Sequence, residues 1–496
     1  MSKIRVTYSG LIALGIRLVS IFTGLIFTVI ITRQLTPEDF GLWGLINGII
    51  FYALILSPII NYWTTREIAR GEKTVKNSVF SNLILVFFGL IIYSIAAYLI
   101  GNESDVDTDI IIFSGILIPI IFLNDTFNAI NSGSKPQVVS YALITFEIVK
   151  ILSAIILIFI FDYEIKGVII AVFVGYISSV IISYQLSNKE YNSKINFKFF
   201  INKIKLFWIP TYRNFPALLA TSDVIVFSII TGSLVGVAYF TASKTLGMMV
   251  NHVRAINVGL YPKLLESEKK EFIKENLIKF SYIGFPLTGF AIIFSKAGLY
   301  ALNPIYEIAW PVVILISLKM FFKSLNQMFF DILLGLENID KNKIATTKEF
   351  IRSNLFWVPT FDLIRHGIYI VSLIIIFIIF RENFNSLIEL VIVWSFIGFI
   401  VEIPLTVYLH NKIKLEVKNI FEKKYIIKYL ILTLIIFSFS GMILDKFIIY
   451  DEKFFTYFPQ LIIFILIPII MYLGITYFVD KKTKILFKSI FNEFRG

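Results

Sequence analysis

The stretch Arg33–Ile49, "RQLTPEDFGLWGLINGI", lies between two long apolar segments and carries two adjacent carboxylates. Thr36 has the position of a helix cap, and Pro37 suits the first turn of the helix that would follow. Glu38 and Asp39 fall in that turn, where the helix dipole favours negative charge. We therefore interpret the pair as the start of a second membrane-spanning helix. The alternative is a pair of catalytic acids that holds a metal ion.

The composition around this stretch is that of a membrane protein. Of 496 residues, 57% are hydrophobic and only 16% are charged, against ~25% charged in ordinary globular proteins. The apolar runs are about 20 residues long, which is enough for a helix to cross the ~30 Å hydrocarbon core. The fold class is therefore all-α and polytopic, with about 14 transmembrane helices.

The positions of Lys and Arg orient these spans. Segments assigned to the inner side hold 30 of the 46 basic residues, and the outer loops hold 6. This bias predicts a multi-pass protein of the cell membrane with both termini in the cytoplasm. It also assigns the net charge of +12 to topology, with anionic membrane lipids as the partner and no nucleic acid. The predicted spans are roughly residues 10–32, 38–62, 78–100, 110–130, 137–161, 167–186, 207–231, 234–258, 275–295, 308–335, 353–379, 386–409, 426–445 and 456–479.

A long inner loop divides the first twelve spans into six and six. The prediction is an N-terminal six-helix lobe over 1–186, a cytoplasmic linker over 187–206 and a C-terminal six-helix lobe over 207–409. Residues 410–496 would add two helices and a cytoplasmic tail. Within the linker, "INFKFFINKIK" (Ile195–Lys205) mixes aromatic residues with lysines, which is typical of an amphipathic segment lying on the membrane.

Ten basic residues fall inside the spans or at their ends, where a central charge costs at least ~2.5 kcal/mol. Some can be neutralised locally, because Glu147 and Lys150, and likewise Asp362 and Arg365, are three residues apart on one helical face. Others at span ends can extend to the headgroups. The candidate substrate-binding cations are Arg17, Lys244, Lys319, Lys323, Arg213 and Arg365, and the candidate ion-coupling acids are Asp223 and Glu147.

Other chemistry is missing from the sequence. There is no cysteine, which excludes disulfides and thiolate sites. There is no phosphate-binding Gly-rich loop for ATP, and the three histidines lack metal-ligand spacing. We expect no metal, no cofactor and no enzymatic activity.

Two stretches resemble a known family. "RxLTPEDFGLWGLINGI" is similar to the first span end of Wzx-type oligosaccharide flippases, a branch of the multidrug/oligosaccharidyl-lipid/polysaccharide (MOP) exporter superfamily. "DVIVFSIITGSLVGVAYFTASKTLGMMVNHVRAINVGLYPKL" (Asp223–Leu264) is similar to that family's spans 7 and 8. The positions that fit are Gly236, Tyr239, Ala242, Lys244 and Pro262, with one extra residue between the Gly and the Tyr.

The resemblance implies a flippase with two lobes and alternating access. It would move an oligosaccharide linked to a polyprenyl phosphate or diphosphate from the inner to the outer leaflet, for cell-surface glycan or glycoprotein synthesis. A coupling cation, H⁺ or Na⁺, is possible, and we expect a monomer. One alternative is a cation-coupled small-molecule exporter of the same superfamily (MATE-like). Another is a membrane glycosyltransferase or polymerase, which the short outer loops disfavour.

Overall fold

The computed structural model describes residues 6–103, 107–187, 195–257, 260, 264, 271–337, 351–380, 386–417 and 422–484. Within these ranges the chain is helical and contains no strand, which confirms the all-α class. Some helical residues, Arg17 and Arg213 among them, are described by their backbone alone. The helices of the first half are α1 (Val6–Gln34), α2 (Pro37–Leu54), α3 (Ser57–Ala69), α4 (Val75–Glu103), α5 (Thr108–Ser114), α6 (Leu117–Ser134), α7 (Pro136–Ala154), α8 (Glu164–Leu186), α9 (Phe197–Ile204) and α10 (Trp208–Thr231).

The second half continues the same architecture. Non-α helical segments extend three of the helices: a π-helical segment at Ile155–Ile160 after α7, and 3₁₀ segments at Met248–Asn257 after α11 and at Pro304–Ala309 before α14. The helices of this half are α11 (Leu234–Gly247), α12 (Glu271–Ile293), α13 (Ser295–Leu302), α14 (Trp310–Gly335), α15 (Asn354–Phe380), α16 (Leu387–Ile400), α17 (Glu402–Glu416), α18 (Lys423–Phe447) and α19 (Phe454–Val479).

In the described part of the chain, eleven helical segments are long and apolar enough to cross a membrane, and a bent pair makes a twelfth. These twelve correspond to twelve of the fourteen predicted spans. The other two predicted spans fall on α1 and on α11 with its 3₁₀ extension. The polytopic membrane fold predicted from hydropathy is thus confirmed, while the orientation of the termini stays a prediction.

Span 2 differs from the continuous helix predicted over 38–62. The chain bends by 60° between α2 and α3. Pro58 lies in the first turn of α3, and because proline has no N–H it cannot continue the hydrogen bonding of the preceding helix. Ser57 is therefore placed at the start of a new helix, within the apolar part of the span.

The described chain divides into two compact units. The first contains Met1–Thr241 and Asp362–Leu390, and the second contains Ala242–Phe361 and Val391–Gly496. The lobe boundaries predicted from the linker stay a prediction.

Inside the first unit, α2 contacts the start of α11 very closely. A Cβ added at Gly41 would lie 2.0 Å from the carbonyl oxygen of Leu234, so only glycine permits this approach. The hydroxyl of Tyr52 on α2 also hydrogen-bonds Ser222 on α10. The segment Asp362–Leu390 packs back onto the same unit, because Phe377 meets Phe227 edge to face with centroids 5.2 Å apart.

Inside the second unit, tyrosines join α12 to the last two helices. Tyr282 on α12 hydrogen-bonds Thr476 on α19 (3.1 Å), and the Tyr472 hydroxyl donates to the carbonyl of Tyr282 (3.0 Å). Tyr429 on α18 donates to Asp480, which follows α19. We call Tyr282, Tyr429, Tyr472, Thr476 and Asp480 the tyrosine cluster.

Asp480 is the acidic member of this cluster and is only 4% exposed. Burial alone would raise its pKa, but hydrogen bonds from Tyr429 and Thr483 and the nearby ammonium of Lys428 hold the pKa below the usual carboxyl value. The Thr483 hydroxyl is 2.9 Å from Asp480 Oδ2, and the Lys428 ammonium is 3.7 Å from Oδ1. The carboxylate is thus ionised with its charge compensated by the protein.

The predicted amphipathic segment forms α9. None of its residues is buried, and Phe197 and Ile201 are exposed. On its other side, Lys203 forms an ion pair with Glu67 at the end of α3. The side chain of Asn77 on α4 also accepts the backbone N–H of Asn196 (2.7 Å). The helix is therefore fixed to the first unit through its polar side, with apolar side chains facing outward.

Candidate substrate and ion sites

The acidic pair of the opening stretch is a helix start. The Thr36 hydroxyl accepts the backbone N–H of Asp39 (3.2 Å) and donates to the Asp39 carboxylate (2.8 Å). Pro37 occupies the first turn of α2, as the spacing predicts. This geometry confirms the capping interpretation. In the described residues, no group of three or more His, Asp or Glu side chains is placed to hold a metal ion.

Arg17 and Arg213 lie on α1 and α10. Their side chains lie outside the described part of the structure, so their role as substrate-binding cations stays a prediction.

Three lysines of the second unit lie on its helices and are half-buried. Lys244 is in the last turn of α11. Lys319 and Lys323 are one turn apart on α14, so they share one face of that helix. The Lys319 ammonium reaches α16, where it lies 2.8 Å from the position that a Cβ at Gly398 would occupy. Gly398 thus leaves room for a cationic side chain between two spanning helices.

Arg365 is held by its own helix. Its guanidinium forms an ion pair with Asp362 (2.5 Å), and its side chain is 6% exposed. His366 accompanies the pair, because its Nδ1 lies 2.8 Å from the carbonyl oxygen of Asp362. The local pairing expected from the three-residue spacing is confirmed. The substrate-binding role of Arg365 stays a prediction.

Glu147 and Lys150 also form the ion pair that their spacing predicts, with 2.8 Å between Lys150 Nζ and Glu147 Oε2. Both side chains are 9% exposed. The ammonium lies 4.6 Å from the ring centres of Phe27 and Phe146, a cation–π arrangement that adds to the pair. Ser20 donates to the other oxygen of Glu147 (3.4 Å). The first unit therefore contains a buried, locally neutral charge pair.

Asp223 is buried on α10 and 2% exposed. It accepts the hydroxyl of Tyr369 on α15 (2.9 Å) and the backbone N–H of Val224 (2.9 Å). Lys244 belongs to the other unit, and the predicted pairing of Asp223 with Lys244 stays a prediction.

Two intramembrane acids escaped the sequence analysis. Asp125 on α6 accepts the hydroxyl of Ser57 (3.1 Å), which lies at the bend between α2 and α3. Glu402, at the start of α17, is 3% exposed and accepts the amide N–H of Asn326 (3.0 Å). A search for carboxylates within the apolar runs, alongside the search for cations, would have found both.

Comparison with known proteins places the fold. No family model matches the sequence, and no curated protein does. Among solved structures, "Lipid II flippase MurJ, inward closed conformation" matches with a TM-score of 0.66 at 16% identity, covering 94% of this chain and 99% of that one. An inward-facing MATE family transporter of the MOP superfamily matches with a TM-score of 0.59 at 15% identity, covering 82% and 98%. A MATE in the straight conformation gives 0.53 at 14% identity, covering 83% and 95%.

These neighbours are transporters and flippases rather than enzymes. The Wzx-type branch suggested by the two stretches stays a prediction. The chain shares its fold with these solved membrane transporters and with this flippase.

Proposed function

We propose that the protein is a flippase that moves a polyprenyl phosphate- or diphosphate-linked oligosaccharide across the membrane by alternating access. The observation that carries this proposal is the pair Lys319 and Lys323, two half-buried like charges on one face of α14. Two cations one turn apart repel each other, and both lie in a candidate span. A lipid-linked phosphate is an anion that enters the membrane with its carrier, and two ammonium groups on one helix face can donate to its oxygens together.

Further support comes from the rest of the cation set and from the fold neighbours. Lys244 is a third half-buried lysine of the same unit, and Arg17 and Arg213 would add guanidinium groups that bind phosphate oxygens in pairs. The neighbour described as a lipid II flippase spans 94% of this chain, against 82% for the inward-facing MATE family transporter. Together these cations would bind the phosphate, polar groups would bind the sugar, and the lipid tail would stay in the bilayer.

A second candidate is a cation-coupled small-molecule exporter of the MATE type. The observation that favours it is the set of intramembrane carboxylates in the first unit, Asp125, Glu147 and Asp223. Such exporters take cationic substrates and rely on acidic interiors. The basic face of α14 is what distinguishes the two candidates.

A flipping assay in proteoliposomes tests the proposal. The probe is a fluorescent polyprenyl-diphosphate oligosaccharide, and the readout is the fraction quenched by an impermeant reductant. We expect Lys319→Gln with Lys323→Gln to reduce flipping at least ~tenfold, since each lost charge-assisted contact is worth about 1.5–3 kcal/mol. Lys296→Gln is the matched control, because Lys296 is half-exposed and pairs with Glu307 at the end of its span.

Two results would overturn the flippase. One is unchanged flipping in the double lysine variant. The other is wild-type protein that moves a fluorescent cationic dye but not the lipid-linked probe, which would favour the exporter.

A further inference from the structure

The middle of the first unit contains a chain of hydrogen bonds that ends on a carboxylate. The Asn82 amide of α4 donates to Asn61 Oδ1 (2.8 Å), and the Asn61 amide donates to Ser57 Oγ (2.8 Å). Ser57 Oγ in turn donates to Asp125 Oδ2 (3.1 Å). All three donations run toward Asp125, and hydrogen bonds aligned in this way polarise one another. The chain therefore stabilises negative charge at Asp125.

The bend between α2 and α3 also stabilises negative charge at Asp125. Ser57 is the first residue of α3, so the hydroxyl that binds Asp125 lies at a helix N-terminus, where the dipole favours an anion. Asp125 itself lies in the candidate span Thr108–Ser134. It is nine residues before the end of α6, or about 13 Å at 1.5 Å per residue. That depth is close to the middle of a ~30 Å hydrocarbon core.

The protein compensates this charge only in part. Among the described side chains, Asp125 Oδ2 accepts one hydrogen bond and Oδ1 accepts none. Asp125 is half-buried, while Ser57 and Asn82 are each 2% exposed. No basic residue occurs within four positions of Asp125 on α6. A lone carboxylate at this depth is costly unless it takes up a cation.

The charged groups on neighbouring helices do not supply that cation. On α7, Lys150 is already paired with Glu147. On α8, Tyr176 lies close enough to Asp125 and Glu147 to interact electrostatically with both, but a tyrosine is not a cation. The middle turns of α2, α3, α4 and α8 carry uncharged side chains. The remaining charged residues of the helices packed on α6 lie at their ends: Glu38, Asp39, Arg66, Glu67, Lys76, Glu103, Asp109, Glu164 and Lys166.

We propose that Asp125 is a proton-binding site, at which a proton from water in the protein interior binds Oδ1 while Ser57 continues to donate to Oδ2. One O–H bond forms on uptake and breaks on release, and the proton returns to water. A proton fits better than a metal ion, because a metal ion needs several oxygen ligands. Here the Ser57 hydroxyl oxygen already accepts a hydrogen bond from Asn61, and Asn61 Oδ1 accepts one from Asn82. The site does not depend on which substrate the protein carries.

Infrared difference spectroscopy of the purified protein in lipid tests the site directly. The readout is the C=O stretch of a protonated carboxyl between about pH 8 and pH 5, a range in which ordinary surface carboxyls stay mostly ionised. We expect a band in the wild type that disappears in Asp125→Asn. The band should persist in Asp109→Asn, the control, which removes an exposed carboxyl at the start of α5.

A second variant separates proton binding from a structural role. Ser57→Ala removes the donor to Oδ2, so the charged form is less stabilised and the band should titrate at higher pH. If Asp125→Asn does not fold, the shift of the band in Ser57→Ala still tests whether Asp125 binds the proton. A band that survives in Asp125→Asn, or that does not move in Ser57→Ala, would overturn the proposal. A band that Na⁺ removes at constant pH would instead assign a metal-cation site.

Discussion

Asp125 in the first unit and Asp480 in the tyrosine cluster are two aspartates in membrane helices or at their ends, with opposite surroundings. Asp480 accepts hydrogen bonds from Tyr429, Thr483 and the backbone of Lys482, and a lysine ammonium lies nearby. Among the described residues, Asp125 accepts one hydrogen bond, from Ser57. The protein compensates the negative charge of Asp480 fully and that of Asp125 only in part. We infer that the number of donors around each of these two carboxylates separates a structural role from an exchangeable site.

The largest expected effect concerns the Glu147–Lys150 ion pair of the first unit. Glu147→Gln leaves the Lys150 ammonium buried without its counter-charge, and we expect a loss of about 3–5 kcal/mol in the free energy of unfolding. Thermal or denaturant unfolding in detergent measures this. The double variant Glu147→Gln with Lys150→Met should recover most of the loss. As a matched control, Glu307→Gln breaks the exposed pair with Lys296 and should cost about 0–1 kcal/mol.

The second largest effect is expected in the tyrosine cluster. Asp480→Asn replaces a compensated carboxylate, and we expect a loss of about 1–3 kcal/mol near neutral pH. The pKa of Asp480 is lowered in the folded protein, so its contribution is present above the unfolded carboxyl pKa of about 4. The contribution is lost as pH falls through the folded pKa. The difference in Tm between wild type and variant should shrink in acid, and a difference that grows in acid would contradict this picture.

A steric pair of variants compares the two units in backbone packing. Gly41→Ala places a methyl group against the Leu234 carbonyl in the first unit, and we expect it to cost about 1–3 kcal/mol because the backbone must move. Gly474→Ala on α19 meets nothing within 4 Å and should be neutral or stabilise by up to ~1 kcal/mol through helix propensity. Unfolding of the two variants under identical conditions gives the comparison. Equal losses would show that the approach at Gly41 is not limiting.

The smallest effect is expected at the start of span 2. Asp39→Asn weakens a helix-start carboxylate that is not buried, at a cost of about 0.5–1 kcal/mol. Transport per folded molecule should be retained, because the pair caps a helix. Complete loss of transport by the folded variant, together with altered dependence on divalent metals, would revive a catalytic role.

Sequence alone predicted the features whose causes are local. Apolar run length predicted the spans, and short spacings predicted the Thr36 cap, the Glu147–Lys150 pair and the Asp362–Arg365 pair. The Ser57–Pro58 bend was also locally encoded, but the surrounding apolar run concealed it.

What the sequence did not predict depends on long-range pairing. Ser57 and Asp125 are 68 residues apart in the chain, and Tyr282 and Thr476 are 194 apart. No helical period connects such residues. Only the packing of separate helices brings them together, which is why the Ser57–Asp125 hydrogen bond and the tyrosine cluster emerged from the structure.

The chain order of the two units has a consequence for biosynthesis. The first unit requires Asp362–Leu390, whose Tyr369 contacts Asp223 across 146 residues. The whole first segment of the second unit, Ala242–Phe361, is translated in between. The tyrosine cluster needs α19, the last described helix to leave the ribosome. Neither unit can therefore close during early translation. During synthesis, Asp223 therefore lacks the Tyr369 hydroxyl until α15 has been made, and Tyr282 and Tyr429 lack their partners until α19 and Asp480 have been made.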